Sequence, residues 1–212
     1  MHLNRSAQKK QKNMIRVIGL TGGIATGKSS VASYLEERGL TVIDADMLSR
    51  DAVRPGSSCL ARIADAFGSE VLSTDGTLDR KRLGVIVFSD PEKRKLLEGI
   101  IHPEIRRLAK EHIAAVAADG QSIVFYMAPL LIEAGATDLV NEIWVVTASS
   151  EVQLERVMSR DDISRELAER IIAAQMPLKD KERFGRILID NSGSSDDLIN
   201  RLSAILDKEL VG

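Results

Sequence analysis

Cysteine occurs once in the 212 residues, at Cys59, which excludes an intramolecular disulfide framework and fits a reducing compartment. Net charge is nearly absent: the formal balance of −2 leaves no global basic footprint of the kind nucleic-acid binders carry, so any anion site must be built locally. No apolar run approaches the ~20 residues needed to span a bilayer. The three histidines, His2, His102 and His112, offer no zinc-ligand spacing. Internal repeats and low-complexity stretches are missing too. What is plentiful is apolar content, 44% of the chain, enough for a buried core in one large domain or a compact core with insertions. The expected setting is cytoplasmic. Residues 1–13 carry Arg5, Lys9, Lys10 and Lys12 with no acid, and read as a disordered basic leader without the apolar stretch of a secretory signal.

The most informative segment is Gly22-Gly23-Ile24-Ala25-Thr26-Gly27-Lys28-Ser29, which fits G-x-x-x-x-G-K-[ST]. It follows the apolar run Ile15–Leu20 and precedes a helical stripe of Val31, Ala32 and Leu35. Strand before and helix after are the context of a phosphate-binding loop (P-loop) rather than of a plain Gly-rich turn. Glycines permit a tight turn whose N–H groups, with the positive end of the next helix, surround nucleotide phosphates. Lys28 is expected to reach the β- and γ-phosphates of ATP, and Ser29 to hold Mg²⁺.

Short, nearly continuous β-rich runs recur at 15–20, 40–43, 122–127, 142–146 and 187–189, as strands buried on both faces of a parallel sheet must be. Helical patterns separate them, the first closed by Gly39 and the last opening after Ser195 as N-cap. The class is α/β. About eighty residues lie between the second and third strands, far more than one crossover helix needs. Leu60, Ile63, Ala64 and Phe67 make one amphipathic helix there; Asp90-Pro91 opens another, and Pro103 is expected to start a third. Residues 50–118 therefore form a helical insert. A second helical insert, 149–183, is rich in arginine and lysine. The nucleotide-binding core is left as 14–49, 119–148 and 184–212.

Asp44-Ala45-Asp46 ends the second strand, at the carboxyl edge where open α/β sheets bind ligands. A carboxylate beside a γ-phosphate accepts the proton of a hydroxyl acceptor, or helps hold Mg²⁺ through water. Asp46, further past the strand, is preferred as the base. Either aspartate could instead cap the helix beginning near Met47, one serving each purpose. In the second insert Arg156 and Arg160, at i and i+4, are the candidates to fold over the triphosphate, while the other arginines read as a solvated face. His102 reads as buried or capping, and Cys59 as a packing residue.

Taken together, G-L-T-G-G-I at 19–24, I-D-A-D at 43–46, Phe67-Gly68, Asp79-Arg80 with Leu83, Phe88, His102-Pro103, Pro129-Leu130-Leu131 with Glu133, Gln153 with Arg156 and Arg160, Gln175, and Asp190-Asn191 follow the order found in dephospho-CoA kinases. The chain resembles that family over nearly its whole length from Met14. The resemblance implies a P-loop kinase with a five-stranded parallel sheet flanked by helices, a helical CoA-binding domain and a helical lid. It implies ATP-dependent phosphorylation of the ribose 3′-hydroxyl of dephospho-CoA, the last step of coenzyme A synthesis, by a monomer or weak homo-oligomer without nucleic-acid or membrane partners. Carried over, Gly23 and the run Ala25, Thr26, Gly27, Lys28, Ser29 and Ser30 contact ATP, with Asn191 near the adenine. Asp46 becomes the catalytic acid–base residue, Lys28 and Arg160 its cationic partners, and Asp44, Asp79, Arg80, Leu83 and His102 the acceptor region.

Three positions depart from the family pattern. Ala25 replaces a common glycine, which suits a residue with φ < 0 or an adjusted loop. Met127-Ala128 stands where many members carry an acid two before the proline, so a Mg²⁺-organising role there is lost or passes to Asp44 or Asp46. Phe184-Gly185-Arg186 replaces a small-acidic pair. The nearest rival is another small-molecule kinase on this scaffold, which leaves H-P and P-L-L-x-E unexplained. A GTPase-like switch is disfavoured because no Asn-Lys-x-Asp guanine motif occurs.

Overall fold

The structure, a computed structural model, describes residues 15–210; the expected basic leader at 1–13 lies outside them. Five parallel strands, β1 (Arg16–Gly22), β2 (Thr41–Asp44), β3 (Ile123–Met127), β4 (Glu142–Thr147) and β5 (Ile187–Asp190), stand in the order β2-β3-β1-β4-β5. All five expected strands are present, most ending a residue or two further on. β1 is central, so the loop leaving it opens at the carboxyl edge between strands reached by crossovers in both directions, where open α/β sheets bind ligands.

Alternation along the strands supplies two cores. Ile18, Leu20, Phe125, Trp144 and Val146 face α1 (Lys28–Glu37) and α9 (Ser195–Leu210), whose Val31, Leu35, Leu198 and Leu202 close that layer. Phe125 and Trp144 meet edge to face, centroids 5.2 Å apart, and the indole N–H donates to Glu142 at 2.8 Å. Val17, Val124, Tyr126, Ile143 and Val145 face the other way, against α2 (Ala45–Ala52) and α5 (Pro91–Ala118).

The first insert has its own core. Ala52, Cys59, Leu60, Ile63, Phe67, Leu83 and Ile100 bring together α2, α3 (Ser58–Phe67), α4 (Arg80–Phe88) and α5. Cys59 is a buried packing residue, as expected. Ile105 and Leu108 flank both this cluster and the sheet-side core, so α5 joins the insert to the sheet. The second insert comprises α6 (Ser150–Asp161), α7 (Arg165–Ala173) and α8 (Leu178–Glu182).

Three expectations are corrected. Pro103 does not start a helix: α5 runs unbroken through it for 28 residues, and His102 lies mid-helix rather than at a start. Loss of one backbone N–H and a ring clash cost about 3 kcal/mol. Ile100 before the proline and Ile105, Leu108 and Ala109 after it are held by two cores, and that burial outweighs the cost. Ser194, not Ser195, caps α9, accepting from the Asp197 N–H at 3.2 Å while Asp197 accepts from the Ser194 N–H at 2.9 Å. Helix α2 begins at Ala45, two residues before the expected start.

Candidate active site

Gly23–Gly27 leaves the end of β1 and enters α1 with Gly27 at φ 95°, a left-handed conformation that disfavours a side chain. A Cβ there would also run into the Asn191 amide. Asn191, just past β5, donates to the Thr26 carbonyl at 2.8 Å, and Thr26 donates from its hydroxyl to Gly23 O at 3.0 Å. Ala25 has φ 56°, so the residue that replaces glycine sits in the left-handed region rather than at negative φ. The second insert grips the loop as well: Gln175 Oε1 accepts from the Ile24 N–H at 2.8 Å, and Gln153 Nε2 donates to the Ile24 carbonyl at 2.7 Å. These two glutamines were visible in sequence only as points of family resemblance.

Lys28 folds over the loop it follows, donating to Gly22 O at 3.1 Å and Gly23 O at 2.7 Å. Burial, reinforced by the like charge of Lys181, lowers its pKa to about 8, while Asp46 and Glu133 oppose the shift. An ammonium destabilised in this way is relieved by a phosphate anion. Ser29 and Ser30 stand exposed in the first turn of α1.

The two aspartates divide their work. Asp44 Oδ1 accepts the Asp46 N–H at 2.8 Å and caps α2, so one carboxylate is spent on structure. Among the described residues Asp46 makes no ion pair or side-chain hydrogen bond. Partial burial and then the charge of Asp44 raise its pKa, with Lys28 and Arg50 acting the other way. Register places Asp44 beside Met127 and Met127 beside Leu20, so β2 lies two strand spacings, about 10 Å, from β1. β3 fills the space between them, so Asp46 and the phosphate loop stand apart along the carboxyl edge of the sheet.

Cavities open on both sides of the loop. One, of about 380 Å³, is lined by Asp46 and Ser49 of α2, Leu97, Ile101, His102 and Arg106 of α5, and the Ala128–Ala134 turn after β3. The other, of about 640 Å³, is lined by Gly27, Ser30 and Tyr34 of α1, Arg156 of α6, and Asn191 to Ser195. Arg156 Nη1 and the Tyr34 hydroxyl are buried without partners in or beside this second cavity, which suits a polar ligand.

Other expected residues fall elsewhere. Arg160 is exposed and bidentate to Asp161, both contacts at 2.8 Å, yet its charge still acts on Lys28, while Arg156 lines the second cavity. Asp79 caps α4 through the Arg82 N–H at 2.9 Å, Leu83 is buried in the insert's core, and neither they nor Arg80 line the cavity beside Asp46. His102 does line it, and Asp44 does not. Lys181, in sequence only one of several basic residues of the second insert, is a wholly buried cation. Its Nζ donates to Pro129 O at 2.7 Å and pairs with Glu133 at 2.8 Å.

Among the described residues no group of three or more His, Cys, Asp or Glu forms a metal cluster. A Mg²⁺ carried with nucleotide phosphates needs none, since phosphate oxygens and water supply most of its shell. The exposed Ser29 hydroxyl and the unpaired Asp46 carboxylate are oxygen donors of the right kind.

Residues 16–197 match the family described as CoaE, dephospho-CoA kinase. The dephospho-CoA kinase of Geobacter sulfurreducens is 50% identical over 194 residues, 92% of this chain and 98% of that one. Among solved structures, TT1252 from Thermus thermophilus superposes with a TM-score of 0.80 at 37% identity, covering 94% of this chain and all of the other. Dephospho-CoA kinase from Campylobacter jejuni gives 0.66 at 25% identity, over 94% of this chain. A phosphate loop at the carboxyl edge of a five-stranded parallel sheet, in a sequence matched along nearly all its length, places this chain in the dephospho-CoA kinase family.

Proposed function

We propose that the protein transfers the γ-phosphoryl group of ATP to the ribose 3′-hydroxyl of dephospho-CoA, giving coenzyme A and ADP. One observation carries this beyond family membership: Asp46, which lines the acceptor-side cavity, acts electrostatically on Lys28 of the phosphate loop. That proximity of a carboxylate to the phosphate-loop lysine supports the reading.

In this reading the core (14–49, 119–148 and 184–212) holds ATP, 50–118 binds the acceptor and 149–183 is the lid. The triphosphate replaces the Gly22 and Gly23 carbonyls as partner of Lys28, with backbone N–H groups of Gly23, Ala25, Thr26, Gly27, Ser29 and Ser30 around it. The nucleoside enters the cavity beside Arg156 and Asn191. Ser29 would hold a magnesium ion together with the phosphates, and the ion would supply neutralisation of the charge on the departing ADP. Asp46 accepts the 3′-hydroxyl proton as the new P–O bond forms and the β–γ bridging bond breaks; the proton then leaves to solvent. Its pKa, raised by burial and by the charge of Asp44, makes the carboxylate a better proton acceptor. His102 and Arg106 contact the acceptor from α5, and Asp44 supports the site as the cap that orients α2. Asp79, Arg80 and Leu83 shape the acceptor domain around its own core. Arg160 reaches the phosphates only if the lid closes and Asp161 releases it, which also excludes water.

The supporting experiment measures ADP released from ATP and Mg²⁺ with and without dephospho-CoA. Release that depends on the acceptor is expected. Equal release in its absence identifies a nucleotide switch or hydrolase instead. The protein is proposed to work as a monomer or weak homo-oligomer in the cytoplasm; no helix among the described residues is long and apolar enough to cross a membrane.

A further inference from the structure

The Pro129-Leu130-Leu131-x-Glu133 turn has no part in the chemistry above, and Lys181 is a wholly buried cation with no assigned purpose. The structure joins them. Lys181 lies on α8, where the lid returns to the sheet, and its ammonium reaches both ends of the turn: Pro129 O at 2.7 Å and Glu133 Oε1 at 2.8 Å. The same Pro129 carbonyl accepts the Thr21 hydroxyl at 3.3 Å, one residue before the phosphate-loop motif. Glu133 also accepts the Met176 N–H at 3.4 Å, next to the Gln175 that holds Ile24. Pro129, Leu130, Leu131 and Glu133 form one wall of the acceptor-side cavity, opposite Asp46 and α5.

Resting on the proposed reaction, we infer that Lys181 is a positioning residue: it ties the acceptor-cavity wall to the base of the lid and the root of the phosphate loop. Acceptor hydroxyl and γ-phosphate are thereby held in register. The choice of a lysine follows from the geometry. A single ammonium satisfies a carbonyl and a carboxylate at once, and burial makes the link rigid because breaking it strands a charge. A 1 Å misplacement of the wall would cost on the order of 10²-fold in transfer rate. The nucleotide cavity shares no lining residue with this wall, and the charge that Lys181 sets against Lys28 is opposed by that of its own partner Glu133, so ATP binding changes little when the pair is removed together.

The test compares wild type, Lys181→Met, Lys181→Arg and the double variant Lys181→Met/Glu133→Gln for three quantities: ATP dissociation constant, kcat/KM for dephospho-CoA, and thermal unfolding. The double variant leaves no buried charge unpaired, so it decides the matter if Lys181→Met fails to fold. The expected result is a fall of about 30-fold or more in kcat/KM for dephospho-CoA in both Met variants, with the ATP constant within about threefold of wild type. Lys181→Arg, which keeps a cation on the same two oxygens, recovers part of the loss. The inference is overturned if the double variant regains kcat/KM together with stability, since the pair would then serve folding alone. It is equally overturned if ATP binding falls in step with kcat/KM. An inactive wild type would sink the proposed reaction itself; an active wild type with unimpaired Met variants would sink only the role of Lys181.

Discussion

An ammonium such as Lys28, held among carbonyls with its pKa lowered to about 8, is a site in want of an anion. The unfolded chain keeps this proton up to the ordinary value of 10.5, so the fold gains stability as pH rises from about 8 to 10.5. Triphosphate binding reverses the shift. Calorimetry of ATP binding at pH 8, in buffers of different ionisation enthalpy, should show uptake of about half a proton, absent in Lys28→Arg. Zero uptake in wild type would mean that the lysine does not meet the phosphates. Asp46 carries a second prediction. Because the charge of Asp44 helps raise its pKa, Asp44→Asn, which keeps a capping oxygen, should move the acidic limb of kcat/KM to lower pH. An unmoved limb would assign that limb to another group. Ala25 at φ 56° gives the third: Ala25→Gly should stabilise the protein by up to about 1 kcal/mol in thermal unfolding, and a loss of stability would show that its methyl, packed beside the lid core, matters more than the dihedral.

Helix α5 shows how far an element's neighbours override its local signals. Pro103 in its interior should act as a break, yet 28 residues continue through it because two cores bury its flanks. Pro103→Ala restores the missing N–H and should raise stability by about 1–2 kcal/mol by denaturant titration. A loss would mean that the proline shapes the packing it interrupts. The strands were legible because fully buried parallel strands are continuous apolar runs, and the phosphate loop because its glycines are fixed by backbone geometry. Asp46 was preferred to Asp44 in sequence for lying further past the strand, but which of the two caps α2 is decided by a side-chain hydrogen bond that only the structure shows. Lys181 was illegible for a different reason. In sequence it is one of several basic residues on short helices, and only the meeting of α8 with the turn after β3 turns it from a solvated charge into a buried one.

At the scale of the whole molecule, the sheet supplies a rigid edge and two helical inserts stand over it with unequal roles. The first shares α5 with the sheet core and is built in; the second grips the phosphate loop through Gln153, Gln175 and the Lys181 link. Arg160 of that second insert is paired with Asp161, and in the proposed reaction it must leave that partner to meet the phosphates. The account stands on Asp46 taking the proton of an alcohol whose new phosphate comes from ATP. The direct measurement is a single-turnover reaction with ATP, Mg²⁺ and dephospho-CoA, read by mass and by the position of the added phosphate, in wild type and Asp46→Asn. Wild type should add one phosphate at the ribose 3′ position, while Asp46→Asn, still binding ATP within about threefold, should be slower by about 10²–10⁴-fold. Near-wild-type turnover in Asp46→Asn, or no phosphate gained by the acceptor in wild type, would contradict the account.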